Sequence, residues 1–182
     1  GDGSGEMGVS IMACSLPFSH VCPLACQGHL EAAAHLGGLH FWGQGVAIDY
    51  SQAMAVYQVG AEAGDATCQF AVGVMYIKGL GVAVDYQQAL PWLEKAAAQD
   101  HPNAVGTLGL MYAQGKGVTP SWSRARELYQ RAIESGNSTA VKNMQTLTEY
   151  IQAVSSNPKP PASFFIFHTA NRHSYPLPCP SL

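Results

Sequence analysis

The sequence predicts an all-α fold: an α-solenoid of three helix-turn-helix repeats closed by a C-terminal capping helix, with irregular flanks. Three observations predict it. The chain matches itself at a shift of 36 residues through three consecutive copies, the signature of a stacked-repeat architecture. Each copy places two glycines, two residues apart, between apolar runs of helical period, as a helix C-terminus followed by an immediate reversal requires. Charged residues make up only 12% of the 182 and glycine contributes 19, against about 25% charged in an average globular domain. Small residues take the place of charge where helices cross closely and turns are tight.

Residues 1–26 lie ahead of the pattern and are expected to be poorly structured. Their apolar stretch from Gly8 to Cys26 is broken by Ser, His and two prolines and lacks a basic leader, which makes a poor signal peptide. The repeat domain is placed at 27–151, with repeats at about 29–64, 65–100 and 101–136. In the first helix of each repeat, helix A, apolar residues such as Cys68, Val72, Met75 and Tyr76 form one stripe at helical spacing. Gly37, Gly73 and Gly109 stand in register inside it. An interior helix glycine costs about 1 kcal/mol relative to alanine, so the register implies close approach by a neighbouring helix. Gly43, Gly79 and Gly115 fall where a helix C-cap turns left-handed, and Gly45, Gly81 and Gly117 let the chain reverse. The valine that follows (Val46, Val82, Val118) is expected to plug the turn into the core.

Helix B then opens on an N-cap in every copy: Asp49, Asp85 and Ser121. Gln52 and Gln88, three residues on, permit a reciprocal bond. The next aromatic (Tyr50, Tyr86, Trp122) and the small Ala53, Ala89 and Ala125 supply knob and groove for helix A. Pro91 stands inside helix B of the second copy, opposite Ala55 and Glu127 in the others, which predicts a local kink with the ring toward solvent. After Gly136, residues 138–151 keep Ala140 in register with Ala104 but lose the turn glycines. They are expected to cap the stack with a polar outer face of Lys142, Asn143, Gln145 and Glu149. Residues 152–182 are rich in proline, and a disordered or loosely packed tail is expected there.

Composition and motifs exclude several functions. Nine basic against twelve acidic residues give a net charge of −3, so no bulk charge drives binding to nucleic acid. No apolar run is long enough for membrane insertion. The cluster Cys22, Cys26, His29 and His35 matches no zinc-ligand spacing, and neither a nucleophile elbow nor a phosphate-binding loop occurs. No catalytic, cofactor-binding or metal-binding residue is therefore assigned, and a hydrolase in a repeat shell is the least favoured alternative. Asn137-Ser138-Thr139 is an N-x-T sequon, readable as a glycan site in a secretory chain or as a polar helix start capped by Ser or Thr.

The second copy contains Cys68, Val72-Gly73, Tyr76, Gly79, Gly81-Val82, Asp85-Tyr86, Ala89, Trp92 and Ala96-Ala97. With its two companions, which depart from it at His40 and at Ser121-Trp122, it resembles the Sel1-like repeat family, a relative of tetratricopeptide repeats. The resemblance spans residues 27–150. It implies a right-handed superhelix of antiparallel helix pairs, acting as a non-catalytic adaptor for a protein or peptide partner on its concave surface. An alternative is a lumenal or secreted adaptor of a degradation or signalling complex; a cytoplasmic setting is favoured and the secretory lumen stays open. A cysteine-rich bacterial branch, which pairs a helix A cysteine with one in helix B, is disfavoured because Cys68 has no such companion. Repeat solenoids bind through variable inner-helix positions, here Gly38, Val74 and Leu110, then Phe41, Ile77 and Ala113, then Trp42, Lys78 and Gln114. Phe41, Trp42, Ile77, Lys78 and Gln114 are the candidate partner-binding residues. The alternative is that the large apolar ones pack against a neighbouring A helix or the N-terminal flank.

Overall fold

The computed structural model describes residues 30–156; the expectations for residues 1–29, with Cys22, Cys26 and His29, and for residues 157–182 lie outside them. Seven helices follow in chain order: α1 (Leu30–Trp42), α2 (Tyr50–Glu62), α3 (Ala66–Lys78), α4 (Tyr86–Ala98), α5 (Pro102–Gln114), α6 (Trp122–Glu134) and α7 (Ser138–Ser156). Each helix packs chiefly on the ones before and after it in sequence, and α1 also touches α3 while α5 touches α7. The A helices are thus α1, α3 and α5, with α2, α4 and α6 as their B partners. The helix α7 extends through Ser156, so residues 152–156, expected to open the tail, are helical. No proline interrupts them, and Ser155 Oγ donates to the carbonyl of Ile151 at 2.8 Å.

Two turns recur, each closed by the same hydrogen bond in every repeat. Between A and B, the cap residue's N–H reaches back to helix A: Asp49 to His40 O at 3.0 Å, Asp85 to Tyr76 O at 3.0 Å, Ser121 to Tyr112 O at 2.9 Å. The left-handed cap glycines Gly79 and Gly115, at φ 69° and 66°, donate to Met75 O and Met111 O. The following glycines answer to the stack as well as to φ. A Cβ on Gly81 would lie 2.6 Å from Tyr50 O, and one on Gly117 would lie 2.9 Å from both Tyr86 Cβ and Tyr86 O, so each turn abuts the head of the preceding B helix. It is the backbone at the head of each B helix, at Tyr50 or Tyr86, that the next repeat's turn meets. Val82 and Val118 pack half-buried against the core. Val46 does not plug its turn: it is 43% exposed, because among the described residues no earlier B helix stands against the first turn.

Each B helix is capped as its sequence requires. Asp49 accepts from Gln52 N at 3.0 Å, Asp85 from Gln87 N and Gln88 N at 2.9 and 3.1 Å, and Ser121 from Arg124 N at 3.4 Å. Pro91 is exposed within α4, which runs on to Ala98. The core lies between A and B layers, where Ala53, Ala89 and Ala125 are wholly buried. The stripe glycines receive B-helix side chains: a Cβ on Gly37, Gly73 or Gly109 would meet Tyr57, Leu93 or Tyr129 at 2.5, 2.7 and 2.8 Å. The close approach is thus mainly that of a large side chain, with a backbone carbonyl, Ala89 O or Ala125 O, at 3.4 Å in the second and third repeats.

Candidate functional site

The A helices are buried far beyond one stripe. Cys68 through Met75 in α3 and Ala104 through Met111 in α5 are eight consecutive buried residues each. Gly38, Val74 and Leu110, expected on a variable open face, are all buried. In α3 and α5 partial exposure returns after these runs in the last helical turn, and α1, where His35 is exposed as well, ends on the exposed Trp42. There the 36-residue register sets Trp42, Lys78 and Gln114 at equivalent points of three consecutive A helices, with Phe41, Ile77 and Ala113 one residue earlier.

These positions do not share one environment. Phe41 is 7% exposed and belongs to the core, held edge-on by Trp42 at 5.0 Å and by Tyr50 at 5.2 Å between ring centroids. It is not a surface anchor; it packs inward, and Trp42, 39% exposed, lies over it. Ile77 and Ala113 are half-buried against the core, and Lys78 and Gln114 are half-buried. Burial lowers the proton affinity of the Lys78 ammonium below its usual range. The accessible set joins an indole, a partly desolvated ammonium and an amide on a fixed frame, a chemistry suited to holding a polypeptide.

Two cations lie over aromatic faces: Lys116 Nζ, in the turn after α5, 5.5 Å from the Tyr86 ring, and Arg124, in the first turn of α6, 5.3 Å from that of Tyr112. Among the described residues no three His, Cys, Asp or Glu side chains gather as metal ligands. Cys68 is fully buried with its thiol pushed well above the usual range, first by burial and then by Asp65, so it is no nucleophile.

The joints between repeats hold a feature the sequence reading missed. Helices α3, α5 and α7 are capped in the same register, by Asp65, His101 and Asn137. Each cap residue's N–H closes the turn onto Gly60 O, Ala96 O or Ala132 O. The residue before it is left-handed in all three: Gly64, Asp100 at φ 57°, and Gly136. Asp100 holds that strained conformation while its carboxylate takes two hydrogen bonds from Arg131, which also donates to Ala97 O. Asn137 is buried and uses its whole amide. Oδ1 accepts from Thr139 N and Ala140 N at 2.9 and 3.2 Å, while Nδ2 donates to Pro102 O at 2.9 Å and Asn103 Oδ1 at 3.2 Å. The cap of α7 is therefore Asn137 itself, not Ser138 or Thr139, and the sequon carries no argument about compartment. The shift of 36 exposes the register once Gly64-Asp65, Asp100-His101 and Gly136-Asn137 are aligned.

A protein-family model for the Sel1 repeat matches residues 30–65, 66–101 and 106–137. The chain belongs to the Sel1 repeat family. Among solved structures, this Sel1 repeat chain is similar to the Sel1 repeat protein from Oxalobacter formigenes, with 31% identity and a TM-score of 0.61, over 69% of this chain and 94% of that one. It is also similar to c5321, a protective antigen present in uropathogenic Escherichia coli strains and displaying an SLR fold, with 31% identity and a TM-score of 0.64. That match covers 77% of this chain but spans only 29% of the antigen. No curated protein matches the chain. Sel1 repeats are generally non-catalytic scaffolds that mediate protein interactions. Among the described residues no helix is long and apolar enough to cross a membrane.

Proposed function

We propose that this Sel1 repeat protein is a non-catalytic adaptor that holds a peptide or protein partner across the last turns of α1, α3 and α5. The supporting observation is the register: Trp42, Lys78 and Gln114 occupy equivalent points of an otherwise matching frame and differ completely in chemistry. A frame that keeps its glycines, caps and alanines needs no such variety for folding. Trp42 is the anchor, braced from beneath by Phe41; Ile77 adds apolar contact beside it. Lys78, already partly desolvated, favours an acidic or carbonyl-rich segment at the centre of the row. Of the five candidates, Phe41 acts through Trp42 and does not touch the partner.

The test compares partner capture from the native organism by the unaltered chain with capture by Trp42→Ser and Lys78→Gln, followed by calorimetry on the partner identified. Binding is expected to weaken at least tenfold in each variant with little change in thermal stability, as for exposed hot-spot residues. Phe41→Ser is expected to lose stability first, by about 3 kcal/mol or more. Equal capture by Trp42→Ser and Lys78→Gln would remove the row from the binding surface.

A further inference from the structure

The third A helix is capped by a titratable ring where its counterparts use a carboxylate and an amide. His101 Nδ1 accepts from the N–H of Ala104 at 3.3 Å, and the ring stacks on Phe70 of α3 with centroids 4.9 Å apart and 27° between planes. Its own N–H donates to Ala96 O, and its C=O accepts from Val105 N at 3.1 Å and from Ala104 N at 3.0 Å, so the Ala104 N–H is shared between the carbonyl and the ring. An imidazole can accept at Nδ1 only while that nitrogen carries no proton. A proton there would aim one N–H at another and set a positive charge on the positive end of the α5 dipole. We propose that the joint between the second and third repeats is a pH-sensitive switch, in which protonation of His101 undoes the cap of α5 and loosens its seat on Phe70.

The surroundings set the direction. Of the charged groups on the elements that meet here, those at the joint are Asp65, Asp100 and Arg131. The head of α3 brings Asp65, whose carboxylate is engaged by Cys68 N. The end of α4 brings Asp100, held by Arg131 of α6; α7 brings the uncharged amide of Asn137, bonded to Pro102 O and Asn103 Oδ1. Burial lowers the proton affinity of His101 below that of an ordinary histidine, against partial pulls upward from Asp65 and from a hydrogen bond to its own backbone. The unfolded chain, with an ordinary value near 6.5, therefore binds the proton more readily than the folded one. The closed joint is fully favoured above about pH 6.5, and its stability falls as pH drops through that value toward the folded one.

The full chain supplies its own control, because Asn137 performs the same cap without titrating. The experiment follows the His101 ring by NMR from pH 8 to 5, with urea midpoints at pH 7.5 and 5.5 for the native chain and His101→Asn. The ring is expected to titrate below about 6.5. The native midpoint should fall more on acidification than that of His101→Asn, and first-turn amides of α5 should lose exchange protection several-fold relative to those of α2. A ring that titrates at or above the ordinary value, or equal acid losses in the two chains, overturns the proposal. If His101→Asn does not fold, His101→Asp, the residue that caps α3, takes its place, and the ring titration of the native chain decides by itself.

Discussion

Gly37 and Gly38 are neighbours in α1, yet substituting each by alanine should move stability in opposite directions. Both lie in the helix interior, where alanine gains about 1 kcal/mol over glycine. Their surroundings differ. A Cβ on Gly38 would find only Tyr57 Oη at 3.7 Å, an ordinary contact, so Gly38→Ala should keep most of that gain. A Cβ on Gly37 would stand 2.5 Å from Tyr57 Cε1 and 2.6 Å from Cδ1, about 1 Å inside the usual carbon–carbon separation. The Tyr57 ring is buried and cannot swing away. Forcing a methyl against a ring that cannot yield takes the upper part of the overpacking range, about 2–3 kcal/mol, which exceeds the helical gain. Gly37→Ala should therefore lose about 1–2 kcal/mol while Gly38→Ala gains up to about 1 kcal/mol. The two variants should be separated by about 2–12 °C in Tm at this chain length, read by circular dichroism and by urea midpoints. A Gly37→Ala chain as stable as the native one would refute the packing account of the stripe glycines.

Three further outcomes follow from the joints. Asn137→Ala should cost about 2 kcal/mol, one for the lost cap and one for the bonds to Pro102 and Asn103, whereas Asn137→Asp keeps the cap and should cost less; a urea midpoint for Asn137→Asp at or below that of Asn137→Ala would contradict this. Asp100→Gly should be nearly neutral in thermal unfolding. It relieves a left-handed residue worth about 1 kcal/mol and gives up an ion pair with both side chains well exposed, worth about 0–1 kcal/mol; a loss above about 2 kcal/mol would show the clamp to matter more than the strain. Cys68, in a chain whose other cysteines are changed to serine, should resist a thiol reagent at pH 8 until urea unfolds the domain, and prompt labelling in the folded state would contradict its burial.

The two-glycine turn was legible in the sequence because only glycine satisfies a left-handed φ beside a neighbour's backbone, so the same letter recurs at Gly79 and Gly115, Gly81 and Gly117. The B-helix caps were legible for a similar reason, aspartate and serine being recognised acceptors. The A-helix caps were not, since Asp65, His101 and Asn137 accept with three different groups and one of them rarely serves as a cap. Nor was the left-handed register, in which Asp100 stands between two glycines. Burial of the A helices was hardest to read. When eight consecutive residues are enclosed, no polar face remains to mark direction, and Val74 or Leu110 looks as variable as a surface residue. Phe41 was misplaced for that reason: its register neighbours Ile77 and Ala113 suggest an open position, but the rings of Trp42 and Tyr50 close over it. The candidate row of Trp42, Ile77, Lys78 and Gln114 stands as a proposal, set at the exposed or half-buried last turns of α1, α3 and α5.

Hydrogen exchange of the full chain with and without its captured partner tests the adaptor reading most directly. The account predicts new protection confined to the ends of α1, α3 and α5, around Trp42, Lys78 and Gln114, with α2, α4 and α6 unchanged. Protection that falls instead on the B helices, or on none of the described helices, would contradict it.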